Sequence, residues 1–116
     1  MIVRNRSNGA ETKALTAFST LQQIRGLMFR KKPACILFDF HEEAIHPIHS
    51  FFVFFPFYAI YISSEMKVLE KARVAPFRLL HKNSRPARYL LEADLEAGEP
   101  FSAGDEVDFH TGLEDK

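Results

Sequence analysis

An apolar run from Phe51 to Ile62, interrupted by Pro56, constrains this chain more than any other feature of its sequence. Its residues are mostly aromatic or β-branched, a composition that suits a pleated and buried surface. The run is well short of the ~20 residues that a helix needs to cross a bilayer. Pro56 cannot donate a ladder hydrogen bond, so it belongs at a strand edge or a bulge. The run therefore predicts two buried strands, or one bent strand, hinged at Pro56.

The rest of the chain contains short strand candidates separated by turn residues. Turn signals lie at Asn5–Gly9, Ser63–Glu65, Asn83–Pro86 and Ser102–Asp105. The apolar and alternating segments between them predict strands over Lys13–Phe18, Cys35–Phe40, Lys67–Val74, Tyr89–Ala93 and Glu106–His110. The segment from His41 to Pro47 is interpreted as a connection.

One short helix is predicted in the N-terminal third. The Ser19 hydroxyl can cap a helix over Thr20–Arg25, and Gln22 follows at the capping-box spacing. Gly26 is placed to end this helix with a positive φ. Many strands with one helix indicate a mainly β fold, an antiparallel sandwich or barrel.

The length of 116 residues is typical of one domain, so residues 1–116 are assigned to a single domain. Hydrophobic residues make up 47% of the chain, which is enough for a real core. Because apolar strand segments are stable only inside, we expect one core built from several strands. Its predicted members are Leu37, Phe38 or Phe40, Phe51 or Phe52, Ile60, Leu90 and Val107.

Charge is balanced overall but divided unevenly along the chain. Residues 1–91 hold 14 of the 15 Lys and Arg residues and 6 of the 15 Asp and Glu residues. We expect the two parts to neutralise each other across the fold. A basic face for nucleic acid is the alternative, but the Phe-rich run is too continuous to be an exposed stacking platform. The N-terminus has no apolar stretch typical of a signal peptide, so a cytoplasmic protein without a membrane partner is expected.

The sequence contains few groups that could carry catalysis or hold a metal. His41, His46 and His49 lie close together, but no matching Cys or carboxylate pair completes a ligand set, so no metal is expected. Cys35 opens an apolar strand and is interpreted as a core residue. The five glycines are scattered and form no phosphate loop. No cofactor and no catalytic residue are therefore assigned.

An ordered set of segments carries a family resemblance. Arg25-Gly26-Leu27-Met28-Phe29-Arg30 precedes Ile36–Phe40 and the Phe-rich run, and Tyr89-Leu90-Leu91-Glu92, Ala97-Gly98 and Gly104–Val107 follow. Over about residues 14–109 the chain resembles the family of domain of unknown function 192. The resemblance implies a compact β sandwich of jelly-roll-like architecture, with one helix leading into the Gly-Leu-Met segment. It implies no established activity.

The same resemblance shows where this chain departs from its relatives. Val53, Phe54 and Tyr58 stand where family members commonly carry Met, a basic or amide residue, and Asp. This stretch has thus lost the polar groups that would be nominated for catalysis. The remaining candidates for a ligand-binding site are Arg25, Met28, Arg30, His49 and Tyr58. Arginines at such a site could hold a carboxylate or phosphate with two parallel hydrogen bonds.

The favoured function is non-enzymatic binding of a small molecule or a protein, with a homodimer left open. An enzyme of unrecognised mechanism that uses Arg25, Arg30 and His49 is one alternative, and weak nucleic-acid binding is another. Tyr58 lies between the apolar residues Phe57 and Ala59. We therefore expect the pKa of its phenol to be raised by desolvation and its hydroxyl to be hydrogen-bonded at a pocket rim or interface.

Overall fold

A computed structural model of the chain describes residues 1–17, 35–45, 47–48, 53–77 and 81–111. Within these residues the fold is mainly β, as the sequence predicts. The described elements are β1 (Ile2–Asn5), β2 (Glu11–Lys13), β3 (Leu15–Ala17), β4 (Ile36–Ala44), β5 (Phe57–Ile62), β6 (Val68–Val74), β7 (Ala87–Ala93), α1 (Leu95–Gly98) and β8 (Val107–His110).

The strands form two sheets. The smaller has the order β2-β1-β8 and the larger the order β3-β4-β7-β5-β6. Neighbouring strands are antiparallel except for β3 and β4, which are parallel. The expectation of an antiparallel architecture is therefore wrong for that one pair, and the two sheets are consistent with a β sandwich.

A first core cluster joins the two sheets. Val3 on β1 and Val107 on β8 pack in one buried cluster with Leu37, Ile60 and Leu91 of the larger sheet. All of them are at most 2% exposed. The predicted burial of Leu37, Ile60 and Val107 is confirmed.

A second cluster lies on the other face of the larger sheet. Phe38, Phe57, Tyr61 and Leu90 are its large buried members. Phe38 and Leu90 are thus buried as predicted, but in a different cluster from Leu37, because successive side chains of a strand point to opposite faces. The core is therefore two layers around one sheet, not the single cluster that the sequence suggests. Phe40 is half-buried against this second layer, and Phe51 and Phe52 lie outside the described residues.

The Phe-rich run changes structure at the predicted hinge. Strand β5 begins at Phe57, directly after Pro56, and Val53 to Pro56 are not part of a strand. Val53 is buried while Phe54 is 55% exposed. Phe54 forms an edge-to-face contact with Phe77, with ring centroids 5.6 Å apart.

The predicted strand over Lys13–Phe18 is two strands in different sheets. Strand β2 ends at Lys13 and strand β3 starts at Leu15. Ala14 between them is buried in the inter-sheet core, and its N–H donates to the carbonyl oxygen of Met1. The segment therefore crosses from one sheet to the other at Ala14.

The predicted connection over His41–Pro47 is also wrong in part, because β4 continues to Ala44. Its pairing with β7 shifts register between Asp39 and Ala44, and His41 there has a φ of 65°. The Asp39 carboxylate accepts the His41 N–H at 2.8 Å and binds the Arg88 guanidinium on β7 at 2.7 Å. These bonds support an irregular strand where turn residues suggested a loop.

The helix that the structure describes is not the one predicted. Thr20–Arg25 and Gly26 lie outside the described residues. Helix α1 follows β7, and the Asp94 carboxylate caps it by accepting the Ala97 N–H at 3.1 Å. No helix within the described ranges has the length and apolarity needed to cross a membrane.

Candidate functional site

Strand β7 carries Glu92 on the sheet face that points away from the smaller sheet. Leu91 and Ala93 belong to the inter-sheet core, whereas Leu90 belongs to the second cluster. Alternation along β7 therefore places Glu92 on the same side as Leu90. In the neighbouring strand β5, Ala59 is the register partner of Glu92, and Tyr61 is the partner of Leu90. The pleat thus brings Glu92 and Tyr61 to one face of the sheet.

Glu92 differs from the other buried polar residues of the described chain. Its side chain and backbone together are only 6% exposed. The Asn5 amide donates to Asp105 Oδ2 at 2.7 Å, the Asn83 amide donates to the Arg85 carbonyl at 2.6 Å, and Ser63 Oγ accepts the Lys67 N–H at 3.3 Å. Glu92 forms no side-chain hydrogen bond or ion pair with any described residue.

Burial alone raises the pKa of the Glu92 carboxyl from 4.5 to about 8. Removal from water disfavours the charged form, and no cation among the described residues restores it. The group is therefore mostly a neutral acid at pH 7, with one O–H donor and remaining acceptor capacity. A carboxyl in this state can donate a hydrogen bond, accept one, or ionise when a cation approaches.

Tyr61 places a second polar group on the same face without a partner. The residue is fully buried, and its hydroxyl makes no hydrogen bond. Burial raises the pKa of this phenol, and the charges of Glu92 and Glu70 raise it further. Its ring lies beside the His81 ring, with centroids 6.0 Å apart. We call Glu92 and Tyr61, with Glu70 beside them, the Glu92–Tyr61 site.

Glu70 is fixed at the margin of this site. It is the register partner of Tyr61 on β6, so the two side chains share one face. Its carboxylate accepts the Ser84 N–H at 2.6 Å and the Ser84 hydroxyl at 3.1 Å. Its position therefore depends on the loop before β7.

The predicted site residue Tyr58 lies on the opposite face of the same strand. Its hydroxyl donates to Glu99 Oε2 at 2.8 Å, and the Lys71 ammonium lies 4.2 Å from the ring centroid. The same ammonium donates to the carbonyl oxygens of Glu99 and Phe101. Tyr58 is thus hydrogen-bonded, as expected, but it lies across the sheet from Glu92 and Tyr61.

The pKa of Tyr58 is raised, in the expected direction but for a different first cause. The hydrogen bond to the Glu99 carboxylate raises it most, because that bond stabilises the neutral phenol. Desolvation adds to the effect, and the Arg73 guanidinium opposes it. The sequence neighbours Phe57 and Ala59 carry no charge, but the fold brings Glu99 and Arg73 close to the Tyr58 hydroxyl.

The other predicted site residues cannot be placed beside Tyr58. Arg25, Met28, Arg30 and His49 lie outside the described residues, so their role stays a prediction. Of the histidine group, His41 is exposed and its ring lies 3.8 Å from Asp39 Oδ2, while His46 and His49 are also outside the described part. Within the described ranges no group of three or more His, Cys, Asp or Glu side chains is arranged to hold a metal ion.

Cys35 is buried in the inter-sheet core, as interpreted from its apolar strand. Its thiol lies 3.5 Å from Thr12 Oγ1 and 3.7 Å from Asp94 Oδ1. Burial is the largest cause that raises the pKa of this thiol. A thiol held in its neutral form is a poor nucleophile.

The sequence contains a signal for one of the two buried polar residues of this site. Glu92 is the one charged residue in the apolar segment from Tyr89 to Ala93, and a carboxyl inside a buried strand is costly unless it is paired. Tyr61 lies inside the apolar run and gave no such signal, because a buried tyrosine usually finds a partner for its hydroxyl.

Comparison with known proteins supplies a family but no activity. The model of the family described as "Uncharacterized ACR", DUF192, matches residues 2–109. No curated protein matches this chain.

Two solved structures share the fold. One is a protein from Sinorhizobium meliloti 1021 described as a "putative transcription regulator", with 22% identity, a TM-score of 0.79, and coverage of 92% of this chain and 91% of that one. The other is a protein of unknown function from Novosphingobium aromaticivorans DSM 12444, with 20% identity, a TM-score of 0.81, and coverage of 93% and 82%. At these identities the likeness concerns the fold alone.

Proposed function

We propose that this chain, which belongs to the DUF192 family, is a small-ligand-binding domain that holds its ligand at the Glu92–Tyr61 site and acts without turnover. One observation carries the proposal. Two polar groups lie on one sheet face: the Tyr61 hydroxyl, which is buried without a hydrogen-bond partner, and the carboxyl of Glu92, a residue that is 6% exposed and forms no side-chain hydrogen bond with a described residue.

The energetic argument for a ligand is direct. A buried polar group without a partner costs about 1–3 kcal/mol, and an apolar residue of similar shape would avoid that cost. Groups that lower stability in this way are found where function needs them. A ligand with complementary hydrogen-bonding atoms would supply the missing partners to both groups at once.

One observation favours an enzyme as the second candidate. A carboxyl with a pKa of about 8 can both give and take a proton near neutral pH, which is the property of a general acid or base. Arg25, Arg30 and His49, the residues of the sequence-based enzyme hypothesis, would then have to act beside it. We favour binding because Glu92 forms no hydrogen bond with a second acid or base among the described residues, whereas general acid–base catalysis uses positioned groups.

The proposal is tested by a thermal-shift screen of the purified protein against metabolites, metal ions and oligonucleotides. A ligand that binds only the native state raises its melting temperature. Each compound that raises it is then retested on Glu92→Gln and Tyr61→Phe. Tyr58→Phe serves as the matched control, because it removes the same hydroxyl from the same strand on the opposite face.

We expect at least one metabolite whose stabilising effect is lost in Glu92→Gln, reduced in Tyr61→Phe and kept in Tyr58→Phe. Stabilisation that is equal in all four proteins would contradict the proposed site. Stabilisation by oligonucleotides alone would favour the nucleic-acid alternative. Hydrolase or phosphatase turnover that Glu92→Gln abolishes, with the fold intact, would establish the enzyme instead.

A further inference from the structure

We propose that a second site, separate from the Glu92–Tyr61 site and independent of it, binds a free α-amino acid with an apolar side chain. The site is an open cavity of about 380 Å³ at one end of the larger sheet, a volume typical of small-molecule sites. The end of β4, the turn between β5 and β6, the start of β6 and the residues before β7 line it. We call it the Lys67–Arg85 cavity, after its two cationic residues.

Side-chain hydrogen bonds fix the loop that forms one wall of this cavity. The buried Asn83 amide donates to the carbonyl oxygens of Ala44 and Arg85, at 3.1 and 2.6 Å, and so ties the loop to the end of β4. The Arg85 guanidinium donates to the Leu69 carbonyl oxygen at 2.9 Å, which links the same loop to β6. The wall is therefore in place before a ligand arrives, which lowers the ordering cost of binding.

The cavity combines two positive and two negative side chains. Lys67 and Arg85 supply the positive charges, and Glu43 and Glu65 supply the negative ones. None of the four forms an ion pair with a residue of the described ranges. Because these charges are not neutralised by one another, a ligand that carries both a carboxylate and an ammonium group complements them.

Two more carboxylates lie close to the cavity but outside its lining. Glu70 accepts hydrogen bonds from the Ser84 N–H and hydroxyl. Glu106 faces Lys67 across an isolated β-bridge and forms no ion pair with it. These negative charges disfavour a purely anionic ligand, which the carboxylates of the lining would also repel.

The donors of the cavity suit the carboxylate of an amino acid. The described contacts of Arg85 use one guanidinium N–H, so other N–H groups of its planar fork can bind a carboxylate. Ser63 also lines the cavity and is only 6% exposed. Its oxygen accepts the Lys67 N–H at 3.3 Å, which leaves its own O–H to donate. A ligand carboxylate would thus receive hydrogen bonds from Arg85 and Ser63 and pair with the Lys67 ammonium.

The other parts of the ligand also find partners. Its ammonium group offers three donors and no acceptor, which suits the carboxylates of Glu43 and Glu65. Its apolar side chain would contact Leu69 and Pro86, which form the apolar part of the lining. Leu69 itself packs against the second core cluster, so this contact surface is supported from below. Binding of this kind changes no covalent bond in the ligand.

The test compares L-leucine with isopentylamine and 4-methylpentanoate, which are leucine without its carboxylate and leucine without its ammonium group. Binding to the ¹⁵N-labelled protein is followed by the shifts of the backbone amides of residues 63–69, 85 and 87. We expect leucine to bind about tenfold or more tightly than either analogue, because each analogue lacks one set of charge-assisted contacts.

Two variants separate the two ends of the ligand. Lys67→Gln should remove most of the preference for leucine over isopentylamine, and Glu43→Gln most of the preference over 4-methylpentanoate. Neither side chain forms a hydrogen bond with a described residue, so the fold should be kept. Lys13→Gln, on the smaller sheet, and Glu42→Gln, next to Glu43 on β4, are the matched controls, because neither residue lines the cavity. Both controls should bind leucine as the wild type does.

Equal or tighter binding of either analogue would overturn the proposal, as would the absence of any saturable shift with leucine. Leucine binding that is unchanged in Lys67→Gln or in Glu43→Gln, or that falls equally in the controls, would overturn it too. Glu92→Gln should bind leucine normally, so failure at one site leaves the other proposal standing. If Glu92→Gln abolishes leucine binding while Lys67→Gln does not, leucine binds at the Glu92–Tyr61 site and the proposal for this cavity is wrong.

Discussion

The Glu92 carboxyl lies between Ile36 and Ala59, and neither neighbour can replace the water that it loses on folding. A glutamine of the same shape would avoid the cost of ionising in this environment, and a leucine would avoid the polar group altogether. Replacing Glu92 alone should therefore raise the free energy of unfolding, and this change can be measured.

The first prediction concerns the pH dependence of stability. The folded pKa of Glu92 is raised from 4.5 to about 8, so between these values the folded state holds a proton that the unfolded state has lost. The free energy of unfolding of the wild type should therefore fall as pH rises from 5 to 8, by up to about 1.4 kcal/mol per pH unit, and become level above 8.

Urea unfolding of the wild type and Glu92→Gln across this range checks the prediction. The variant should lack this decline and should exceed the wild type in stability at pH 8.5. The lowered pKa of Asp39 acts in the opposite direction and only at acid pH, so it does not interfere. Parallel curves for the two proteins would show that Glu92 titrates normally.

The second prediction compares the two tyrosines of β5. Tyr61→Phe removes a buried hydroxyl that has no partner, so its stability should stay within about 1 kcal/mol of the wild type and shift in the stabilising direction. Tyr58→Phe removes a hydroxyl that donates to Glu99, so it should lose a little stability. Denaturant midpoints measured in the same buffer decide the order, and a large loss in Tyr61→Phe would show that its hydroxyl has a partner.

At the scale of elements, helix α1 is held against β5 by a close approach of backbone to ring. A Cβ on Gly98 would lie 2.7 Å from Tyr58 Cδ2 and 3.3 Å from Ala93 Cβ. Tyr58 cannot easily move away, because Glu99 and Lys71 fix its hydroxyl and its ring. Glycine is therefore required here by packing.

The third prediction is that Gly98→Ala lowers the free energy of unfolding by about 1–3 kcal/mol, as overpacking does in well-filled cores. This loss should exceed the gain that alanine normally gives a helix. In a Tyr58→Ala background the same substitution should cost much less, which a double-mutant cycle measures. An equal cost in both backgrounds would place the strain elsewhere.

The fourth prediction concerns the cap of the same helix. Asp94→Ala removes the acceptor of the Ala97 N–H and should cost about 1 kcal/mol, whereas Asp94→Asn should retain most of the stability. Chemical denaturation of the two variants provides the comparison. Equal losses in both would show that the carboxylate charge matters and the cap does not.

Several elements were predictable because their signals are local. Strands β5 to β8 follow from apolar or alternating segments between turn residues, and Pro56 marks where β5 begins. The continuation of β4 to Ala44 was not predictable, because it depends on the Asp39–Arg88 pair across two strands. The division of the Lys13–Phe18 segment at Ala14 was not predictable either. It depends on the sheet that each half joins, and the residues of neither half indicate their pairing partner.

At the scale of the whole molecule, the larger sheet has two unlike faces. One face packs against β1 and β8 in the inter-sheet core, and the other carries the second core cluster together with Glu92. The sequence shows that Glu92 lies in a strand, but only the pairing of β5 with β7 shows that it shares a face with Tyr61. Tyr58 was nominated from a family resemblance alone, and the pleat places it on the opposite side.

The central claim is that a carboxyl is kept buried and unpartnered on one face of the sheet so that a ligand can complete it. The most direct measurement is an NMR titration of the Glu92 side-chain carboxyl carbon in the ligand-free protein, assigned by comparison with Glu92→Gln. We expect a midpoint near 8, the value to which burial raises this pKa. A midpoint near the ordinary 4.5 would mean that Glu92 is solvated or paired, and it would contradict the account.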